Sequence, residues 1–186
     1  KTTDGGVSWT KYFERSPFQL YNLFVLNPNT AYVSGSQNIC YLTQNGGASW
    51  DTMRVPGSLF QTDRIYFKNE LTGFFTQGKN IARTTNGGLN WTLSVTPGSE
   101  PVGSIKLFND NDGIMFCYIA DSPARLYKTT NGGVNWVNPI TISGDLTEAA
   151  FFFFFTGKLC GNRLLVKTTN GGINWITQIS DKSLSF

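Results

Sequence analysis

The sequence predicts an all-β protein built from repeated short strands, and three observations support this prediction. The 186 residues include 20 glycines, and 15% of the side chains are aromatic, a composition typical of turn-rich β proteins. A nine-residue segment that ends in tryptophan occurs five times along the chain. Between these segments, short apolar runs alternate with turns rich in Asn, Asp, Gly, Pro and Ser, and no helical stretch interrupts them.

The five nine-residue segments, called boxes below, align without gaps. They are KTTDGGVSW from Lys1, LTQNGGASW from Leu42, RTTNGGLNW from Arg83, KTTNGGVNW from Lys128 and KTTNGGINW from Lys167. Their closing residues are Trp9, Trp50, Trp91, Trp136 and Trp175. The boxes therefore recur roughly every 40 residues, which is the length of a four-stranded β-propeller blade.

The strands of each repeat follow in a regular order. A first strand, a polar turn and a second strand are recognisable in LFVLNPNTA over 23–31, IYFKNELTG over 65–73 and IKLFNDNDG over 105–113. The second strands continue as YVSG, FFTQ and IMFCYI, and a third strand runs into the box. The fourth strand follows the tryptophan, as in WDTMRV and WTLSV. Each repeat is thus predicted to form four short antiparallel strands.

These repeats divide the chain into a run of blades. We expect a half blade over 1–16, complete blades over 17–57, 58–98, 99–142 and 143–181, and a tail over 182–186. About four and a half blades do not close a ring of whole blades, whereas propellers have roughly four to eight. The chain is therefore expected to be part of a larger propeller of roughly six to eight blades.

The box sequence suits a tight hairpin. Asp-Gly or Asn-Gly supplies the positive φ angles of such a turn, and the Asp or Asn side chain can accept hydrogen bonds from nearby backbone N–H groups. These side chains are Asp4, Asn45, Asn86, Asn131 and Asn170. The closing tryptophan offers an apolar face for packing between blades. Each part has a structural role, so the box requires no ligand.

The boxes resemble the Asp-box, or bacterial neuraminidase repeat, with the pattern Ser/Thr-x-Asp-x-Gly-x-Thr-Trp. Thr2, Asp4, Gly6, Ser8 and Trp9 match this pattern, with Ser in place of Thr before the tryptophan. In the four later boxes Asn replaces the acidic residue, which keeps the turn but removes its charge. No metal is expected at these turns, and no cofactor is expected in the chain.

Among proteins with this repeat, the short period and the K-T-T-N-G-G run are most similar to propellers of the photosystem II assembly-factor type. Related repeats occur in many secreted bacterial proteins. The resemblance implies a bacterial, extracytoplasmic propeller that acts as a non-enzymatic scaffold for a protein partner. Sialidases, sortilin-type receptors and xyloglucan-cleaving glycosidases carry the same box, so a glycan-binding or glycoside-hydrolase module, sialidase-like or β-glucanase-like, remains an alternative.

Composition and charge exclude several other functions. The formal net charge is only +3 and no basic cluster is present, so no nucleic-acid partner is expected. The longest apolar run, over 149–155, is far shorter than the ~20 residues of a membrane span. The chain has no histidine, and Cys40, Cys117 and Cys160 lack metal-ligand spacing. We expect buried, unreactive thiols, of which at most one pair could form a disulfide.

Candidate binding residues fall just before the predicted first strands. By resemblance to Asp-box enzymes, ligands bind at the end of the propeller opposite the boxes, where the blade-to-blade loops surround the channel mouth. The candidates there are Tyr21, Asn22, Asp63, Arg64 and Glu148. Arg64 could bind a carboxylate or a glycan hydroxyl. Alternatively, Arg64 and Glu148 are solvated loop charges or members of a blade-to-blade ion pair.

No catalytic residue is assigned, and the chain is predicted not to be an enzyme. Two-carboxylate catalysis needs a pair of acids roughly 5–10 Å apart across one sugar site. Asp63, Asp121, Asp145 and Glu148 are conceivable, but no spacing selects two of them.

Two further features allow two interpretations each. Phe153, Phe154 and Phe155 align with polar turns of other repeats, so they form either an exposed patch for a partner or a locally irregular blade that buries them. Basic residues open four boxes, and they form either a basic rim for an acidic partner or stems that lie over blade edges. These basic residues are Lys1, Arg83, Lys128 and Lys167.

Overall fold

The computed structural model describes residues 1–11, 18–37, 39–55, 64–119, 122–144, 146–153, 156–161 and 164–180. Within these ranges the regular elements are β-strands, and the fold class predicted from the sequence is confirmed. The described residues include no helix that could cross a bilayer.

The strands form four sheets, each with four strands in chain order and antiparallel neighbours. The first sheet contains β1 (Leu20–Val25), β2 (Ala31–Gly35), β3 (Ile39–Thr43) and β4 (Asp51–Arg54). The second contains β5 (Arg64–Phe67), β6 (Gly73–Gln77), β7 (Asn80–Thr84) and β8 (Thr92–Val95). The third contains β9 (Val102–Leu107), β10 (Gly113–Cys117), β11 (Ala124–Thr129) and β12 (Val137–Ile142). The fourth contains β13 (Leu146–Phe153), β14 (Thr156–Gly161), β15 (Leu164–Thr168) and β16 (Ile176–Ser180).

Each sheet has two faces because side chains alternate along a strand. The front face is defined here as the face that carries Val25 in the first sheet and its equivalents in the others. These equivalents are Phe67, Leu107 and Phe151. Phe67 and Leu107 pair with the first residue of the second strand, as Val25 does, and Phe151 pairs with the second residue, Gly157. The opposite face is called the back face. Tyr32 and Cys40 lie on the back face of the first sheet.

The chain divides into two compact units. The first unit comprises Lys1–Gln77 and Ala82–Leu93, and the second comprises Gly78–Ile81 and Ser94–Phe186. In the first unit, the back face of the first sheet packs against the front face of β5 and β6. Tyr32 stacks on Phe67 there, with ring centroids 3.7 Å apart and planes inclined by 6°. The buried residues of this core are Tyr32, Cys40, Val55, Ile65, Phe67, Phe75 and Ala82.

The second unit repeats this packing with other side chains. The back face of the third sheet meets the front face of the fourth, and the buried set is Ile114, Phe116, Ala124, Leu126, Ile142, Leu146, Leu159 and Val166. The partly buried Ala149 and Phe151 of β13 pack against the same core. Each unit therefore has its own apolar core, which forms between the back face of one sheet and the front face of the next.

Two segments differ from the sequence-based expectation. Residues 1–11, in the predicted half blade, carry no assigned strand; reciprocal 2.8 Å hydrogen bonds between Lys1 and Thr10 close them into a hairpin. Residues 12–16 of that half blade lie outside the described residues. Phe153, expected on a turn, is the last residue of β13, because a register shift after Phe151 lets it pair with Thr156. Phe154 and Phe155 also lie outside the described residues.

Candidate functional site

A buried threonine organises each of the four later boxes. Thr84 accepts hydrogen bonds from the backbone N–H of Gly88 at 2.9 Å and of Asn86 at 3.3 Å, and it donates to Asn86 Oδ1 at 3.1 Å. The same three bonds recur in the other boxes, at Thr43, Thr129 and Thr168. All four threonines are at most 3% exposed. The sequence reasoning missed this residue, although its recurrence at the second box position was visible.

The Asp or Asn side chain holds the other half of the turn. Asn86 Oδ1 accepts the backbone N–H of Asn90 at 2.9 Å. In the exposed first box, Asp4 accepts the backbone N–H of Ser8 at 3.0 Å and its hydroxyl at 2.5 Å. The Ser8 hydroxyl is the largest cause that lowers the pKa of Asp4, followed by the Ser8 backbone N–H and the Thr2 hydroxyl. The side-chain oxygens of Asp4 and Asn86 therefore accept hydrogen bonds from residues of their own turns.

The positive φ angles of the box belong to its two glycines, which corrects the expectation that Asn-Gly would supply them together. Gly46 has a φ of 69° and Gly47 a φ of 95°, whereas Asn45 is not among the residues with positive φ. The glycines lack a Cβ and adopt this region without strain. The Asn keeps an ordinary φ while its side chain accepts hydrogen bonds.

The boxes lie at the same end of each sheet as the turn between the first and second strands. The first box glycine donates its N–H to a carbonyl of that turn, from Gly46 to Asn29 at 2.8 Å and from Gly87 to Leu71 at 2.9 Å. In the third sheet the bond joins Gly132 to Asn111 at 2.7 Å. The opposite end of each sheet, called the mouth end below, carries the start of the first strand.

The box tryptophans do not share one environment. Trp91 donates from Nε1 to the Gly88 carbonyl at 3.0 Å and packs against the first-unit core, with Phe75 at a centroid distance of 5.0 Å. Trp136 is 6% exposed, and Trp50 and Trp175 are half-buried. Trp9 is 72% exposed, contrary to the expectation that every box tryptophan packs between blades.

Four polar residues occupy one equivalent position near the mouth end. Each lies three residues before the front-face residue of its first strand that was defined above (Val25, Phe67, Leu107 or Phe151). The four residues are Asn22, Arg64, Ser104 and Glu148. They belong to the first strands themselves, not to the loops before them as expected. The reason is that each second strand extends far enough to pair with them, for example Ser34 with Asn22.

A β-bulge precedes this position in three sheets. The pairing register shifts between Leu20 and Asn22, between Leu146 and Glu148, and at the equivalent place in β9. The extra residues are Tyr21, Gly103 and Thr147. Bulges bend a strand and redirect its side chains, and they are frequent next to binding sites.

In the first unit the candidates Tyr21, Asn22 and Arg64 lie on neighbouring strands, because β1 contacts β5. Tyr21 is 40% exposed and donates from its hydroxyl to Gln19 Oε1 at 2.8 Å. Asn22 and Arg64 are half-buried. Asp63 lies outside the described residues, as do Asp121 and Asp145. Glu148 is exposed and belongs to the second unit, on β13, which contacts β9.

The mouth end of the second unit holds a buried carboxylate that the sequence reasoning missed. Glu100, in the loop between β8 and β9, is 5% exposed. Arg125 Nη1 lies 2.5 Å from its Oε1, and the Tyr127 hydroxyl donates to its Oε2 at 3.0 Å. Burial is the largest cause that raises the pKa of Tyr127. No local signal could have revealed this cluster, because the acid and its partners are some 25 residues apart.

The thiols and the basic residues of the boxes also have defined environments. Cys40 and Cys117 are buried, and burial raises the pKa of both thiols. Cys160 is exposed on the back face of the fourth sheet, contrary to the expectation of three buried thiols, and none of the three forms a disulfide.

Arg83 is half-buried, and burial lowers the pKa of its guanidinium. Lys128 and Lys167 are also half-buried, which favours stems lying over sheet edges.

Within the described ranges, no group of three His, Cys, Asp or Glu side chains is arranged to hold a metal ion.

Comparison with known proteins reveals likeness at the level of structure. No protein-family model and no curated protein sequence matches this chain. Among solved structures, YCF48 from Cyanidioschyzon merolae is similar, with a TM-score of 0.66, 16% identity and coverage of 91% of this chain and 59% of that one. An ancestral GH74 enzyme has a TM-score of 0.65 and 20% identity, over 84% of this chain and 23% of that one. Both neighbours are β-propellers.

The chain has a β-propeller fold. A GH74 enzyme from Niastella koreensis is also similar, with a TM-score of 0.56 and 14% identity, over 87% of this chain and 38% of that one. The chain thus spans less than two thirds of each of these propellers. At sequence identities of 20% or less, this structural similarity establishes the propeller architecture alone, because function depends on sites that vary among propellers.

Proposed function

We propose that this propeller is a non-enzymatic scaffold that binds a protein partner at its mouth end, outside the cytoplasm and as part of a longer protein. One observation carries the proposal: the boxes are alike from repeat to repeat, whereas the equivalent first-strand residue near the mouth end differs in each repeat. The four later boxes share Thr, Asn, Gly-Gly and Trp at the same positions, and the same hydrogen bonds of that Thr and Asn. The equivalent first-strand positions, in contrast, hold Asn22, Arg64, Ser104 and Glu148. A constant framework with varied polar positions suits recognition of one specific surface.

The first unit offers the chemistry of a protein-binding patch. Arg64 has a planar guanidinium that can bind a carboxylate through two parallel hydrogen bonds. The exposed Tyr21 presents an aromatic ring with a polar tip, a combination enriched in protein interfaces. Asn22 adds an amide that can donate and accept. The proposed ligand is therefore an acidic peptide segment with an apolar neighbour for Tyr21.

Two of the described acids, Glu100 and Asp4, have structural partners. Glycosidases need two carboxyl groups that act on one sugar. Glu100 is buried and bound by Arg125 and Tyr127, which suits a structural acid that anchors its loop. Asp4 accepts hydrogen bonds from Ser8 within its own turn.

The proposed extracytoplasmic location rests on the low charge content and on the resemblance to repeats of secreted proteins.

A glycan-directed module, either a lectin or part of a glycosidase, is the second candidate. The similarity to two GH74 enzymes favours it, since the same fold supports their activity. Tyr21 at the mouth could stack on a sugar ring as readily as on a peptide side chain.

Three parallel assays separate the candidates. The chain is screened against an array of acidic peptides, against a glycan array, and for turnover of sialosides and β-glucans. The scaffold proposal expects peptide binding that Arg64→Gln weakens at least tenfold, whereas Lys158→Gln, an exposed lysine on the fourth sheet, leaves it unchanged. Glycan binding without turnover would instead support a lectin, and turnover would contradict the non-enzymatic proposal.

A further inference from the structure

Each box places an aliphatic side chain directly after its two glycines, at a position called the tip below. All five tips are exposed, and they are Val7, Ala48, Leu89, Val134 and Ile173. Leu89 and Val134 are 83% and 56% exposed, although the second and third sheets each have a sheet before and after them along the chain. The exposure of the tips is therefore a property of the box itself and not of an uncovered sheet face.

The turn holds the tips in one backbone geometry. The N–H of Val134 donates to the Asn131 carbonyl at 3.4 Å, and the N–H of Ile173 donates to the Asn170 carbonyl at 3.5 Å. No tip is among the described residues of the two apolar cores. Single exposed apolar side chains are common on protein surfaces, but here every box has one at the same position. Packing inside the fold does not account for this recurrence, whereas contact with a partner would.

A basic residue accompanies every large tip. The four boxes that begin with Lys or Arg have Val, Leu or Ile at the tip, whereas the second box begins with Leu42 and has the small Ala48. The basic residue lies at the base of the hairpin, where for example Lys128 pairs with Val137 on the other side of the box. The third, fourth and fifth boxes contain no acidic residue. Each of these three boxes thus joins an apolar tip to a positive base.

This combination suits an anionic lipid surface. An aliphatic side chain can enter the boundary between headgroups and acyl chains without a matching pocket, and Lys or Arg at headgroup level attracts anionic lipids. Lys128 and Lys167 are half-buried, so their stems can lie on the protein while the charge reaches toward the headgroups. A net charge of +3 provides little long-range attraction, so the tips must supply the part of the binding that charge cannot. A protein partner would instead need one pocket for each tip.

We propose that the box end of the second unit binds the surface of a membrane that contains anionic lipids. Val134 and Ile173 enter the headgroup boundary, and Lys128 and Lys167 contact the lipid phosphates. These residues belong to the third and fourth sheets, which pack against each other within that unit. The box end is opposite the mouth end, so this proposal is independent of the proposed function.

Co-sedimentation with lipid vesicles tests the proposal. The intact chain should bind phosphatidylcholine vesicles that contain about one-third phosphatidylglycerol, and it should bind vesicles of phosphatidylcholine alone roughly tenfold more weakly. This comparison leaves the protein unaltered. Lys128→Gln combined with Lys167→Gln should reduce binding to the mixed vesicles without changing the weaker binding to phosphatidylcholine alone.

Matched variants test the insertion of the tips. Val134→Ser combined with Ile173→Ser should weaken binding to the mixed vesicles roughly tenfold or more, because two apolar side chains no longer enter the lipid. Val95→Ser combined with Ile179→Ser is the control and should leave binding unchanged. These two residues have the same types and are more than half exposed, but they lie on the fourth strands β8 and β16. Circular dichroism checks that every variant remains folded.

Three outcomes would overturn the proposal. The first is absence of binding to the mixed vesicles. The second is equal binding by the chain and its Val134→Ser, Ile173→Ser variant, which would indicate adsorption by charge alone. The third is a dimer of the chain, seen by sedimentation without lipid, that the same two substitutions dissociate while vesicles remain unbound. That result would assign the tips to a second copy of the chain.

Discussion

A single hydroxyl determines the shape of each later box. Thr84 satisfies two backbone N–H groups and holds the Asn86 side chain, and it does so while 1% exposed. A buried N–H that loses its acceptor keeps its desolvation penalty, so the threonine contributes more than its small apolar surface would.

Replacement of this hydroxyl should therefore destabilise the fold. Thr84→Val keeps the side-chain shape but leaves the Gly88 and Asn86 N–H groups without this acceptor, and we expect a loss of about 1–3 kcal/mol in the free energy of unfolding. Thr85→Val, at the adjacent exposed threonine, is the matched control and should stay within about 0.5 kcal/mol. Urea denaturation measures both, and equal stabilities would contradict the role of Thr84.

The three thiols should react differently. Cys160 is exposed, whereas burial raises the pKa of Cys40 and Cys117 and keeps both protonated when the pH passes the ordinary thiol value of about 8.5. A disulfide reagent should modify one thiol of the native chain, and Cys160→Ser should abolish that reaction. Urea should release the other two. Equal reaction rates of all three native thiols would contradict this assignment.

The same pKa shifts have a consequence for stability. Above about pH 8.5 the unfolded chain releases the protons of Cys40 and Cys117, whereas the folded chain retains them. The free energy of unfolding should therefore decrease as the pH rises through this range, and alanine at both positions should reduce that decrease.

At the scale of the elements, side chains that pair across the first and second strands of a sheet are complementary in size. Phe67 lies over Gly73, and a Cβ at Gly73 would collide with the aromatic ring. In the first sheet the equivalent pair is Val25 and Ala31, where a smaller first-strand residue leaves room for a Cβ. Overpacking of this kind typically costs 1–3 kcal/mol.

A double-mutant cycle tests this matching. Gly73→Ala should destabilise by about 1–3 kcal/mol in the native background. In the Phe67→Val background, which recreates the Val-Ala pair, its cost should be smaller by at least about 1 kcal/mol. Gly113→Ala, which faces Leu107, is the control, and its cost should be the same in both backgrounds. Additive effects of Gly73→Ala and Phe67→Val would exclude the proposed contact.

The box tryptophans should differ in their contribution to stability. Trp91 packs against Phe75 and bonds to the Gly88 carbonyl, so Trp91→Ala should cost about 3–5 kcal/mol through the cavity it leaves. Trp9→Ala, at the 72% exposed position, should change the free energy of unfolding by no more than about 0.5 kcal/mol. Thermal melting compares the two, and an unchanged midpoint for Trp91→Ala would refute its packing role.

For the whole molecule, weak charge limits the choice of partners. A net charge of +3 among 186 residues provides little long-range attraction for a polyanion. At about 150 mM salt, we expect duplex DNA to show no saturable binding below about 100 μM, measured by fluorescence anisotropy. A cationic peptide of equal concentration is the positive control. Tight, salt-sensitive binding would reveal a basic surface that the sequence does not indicate.

The sequence alone determined the all-β class, four strands per repeat and the turn at each box. This information is local, since a box closes through hydrogen bonds that span about four residues, as between Thr84 and Gly88. It also placed Asn22 and Arg64 at equivalent positions, because the repeat preserves strand spacing.

Only the tertiary structure decided which equivalent residues are covered. Val25 and Phe67 have the same place in the repeat, yet one is exposed and the other buried, because exposure depends on a neighbouring sheet. The same reason explains the exposed Cys160 and the buried Glu100, whose partners lie far along the chain. A strand pattern specifies which side of a sheet is apolar. The packing of one sheet on the next decides whether that side becomes core or remains exposed.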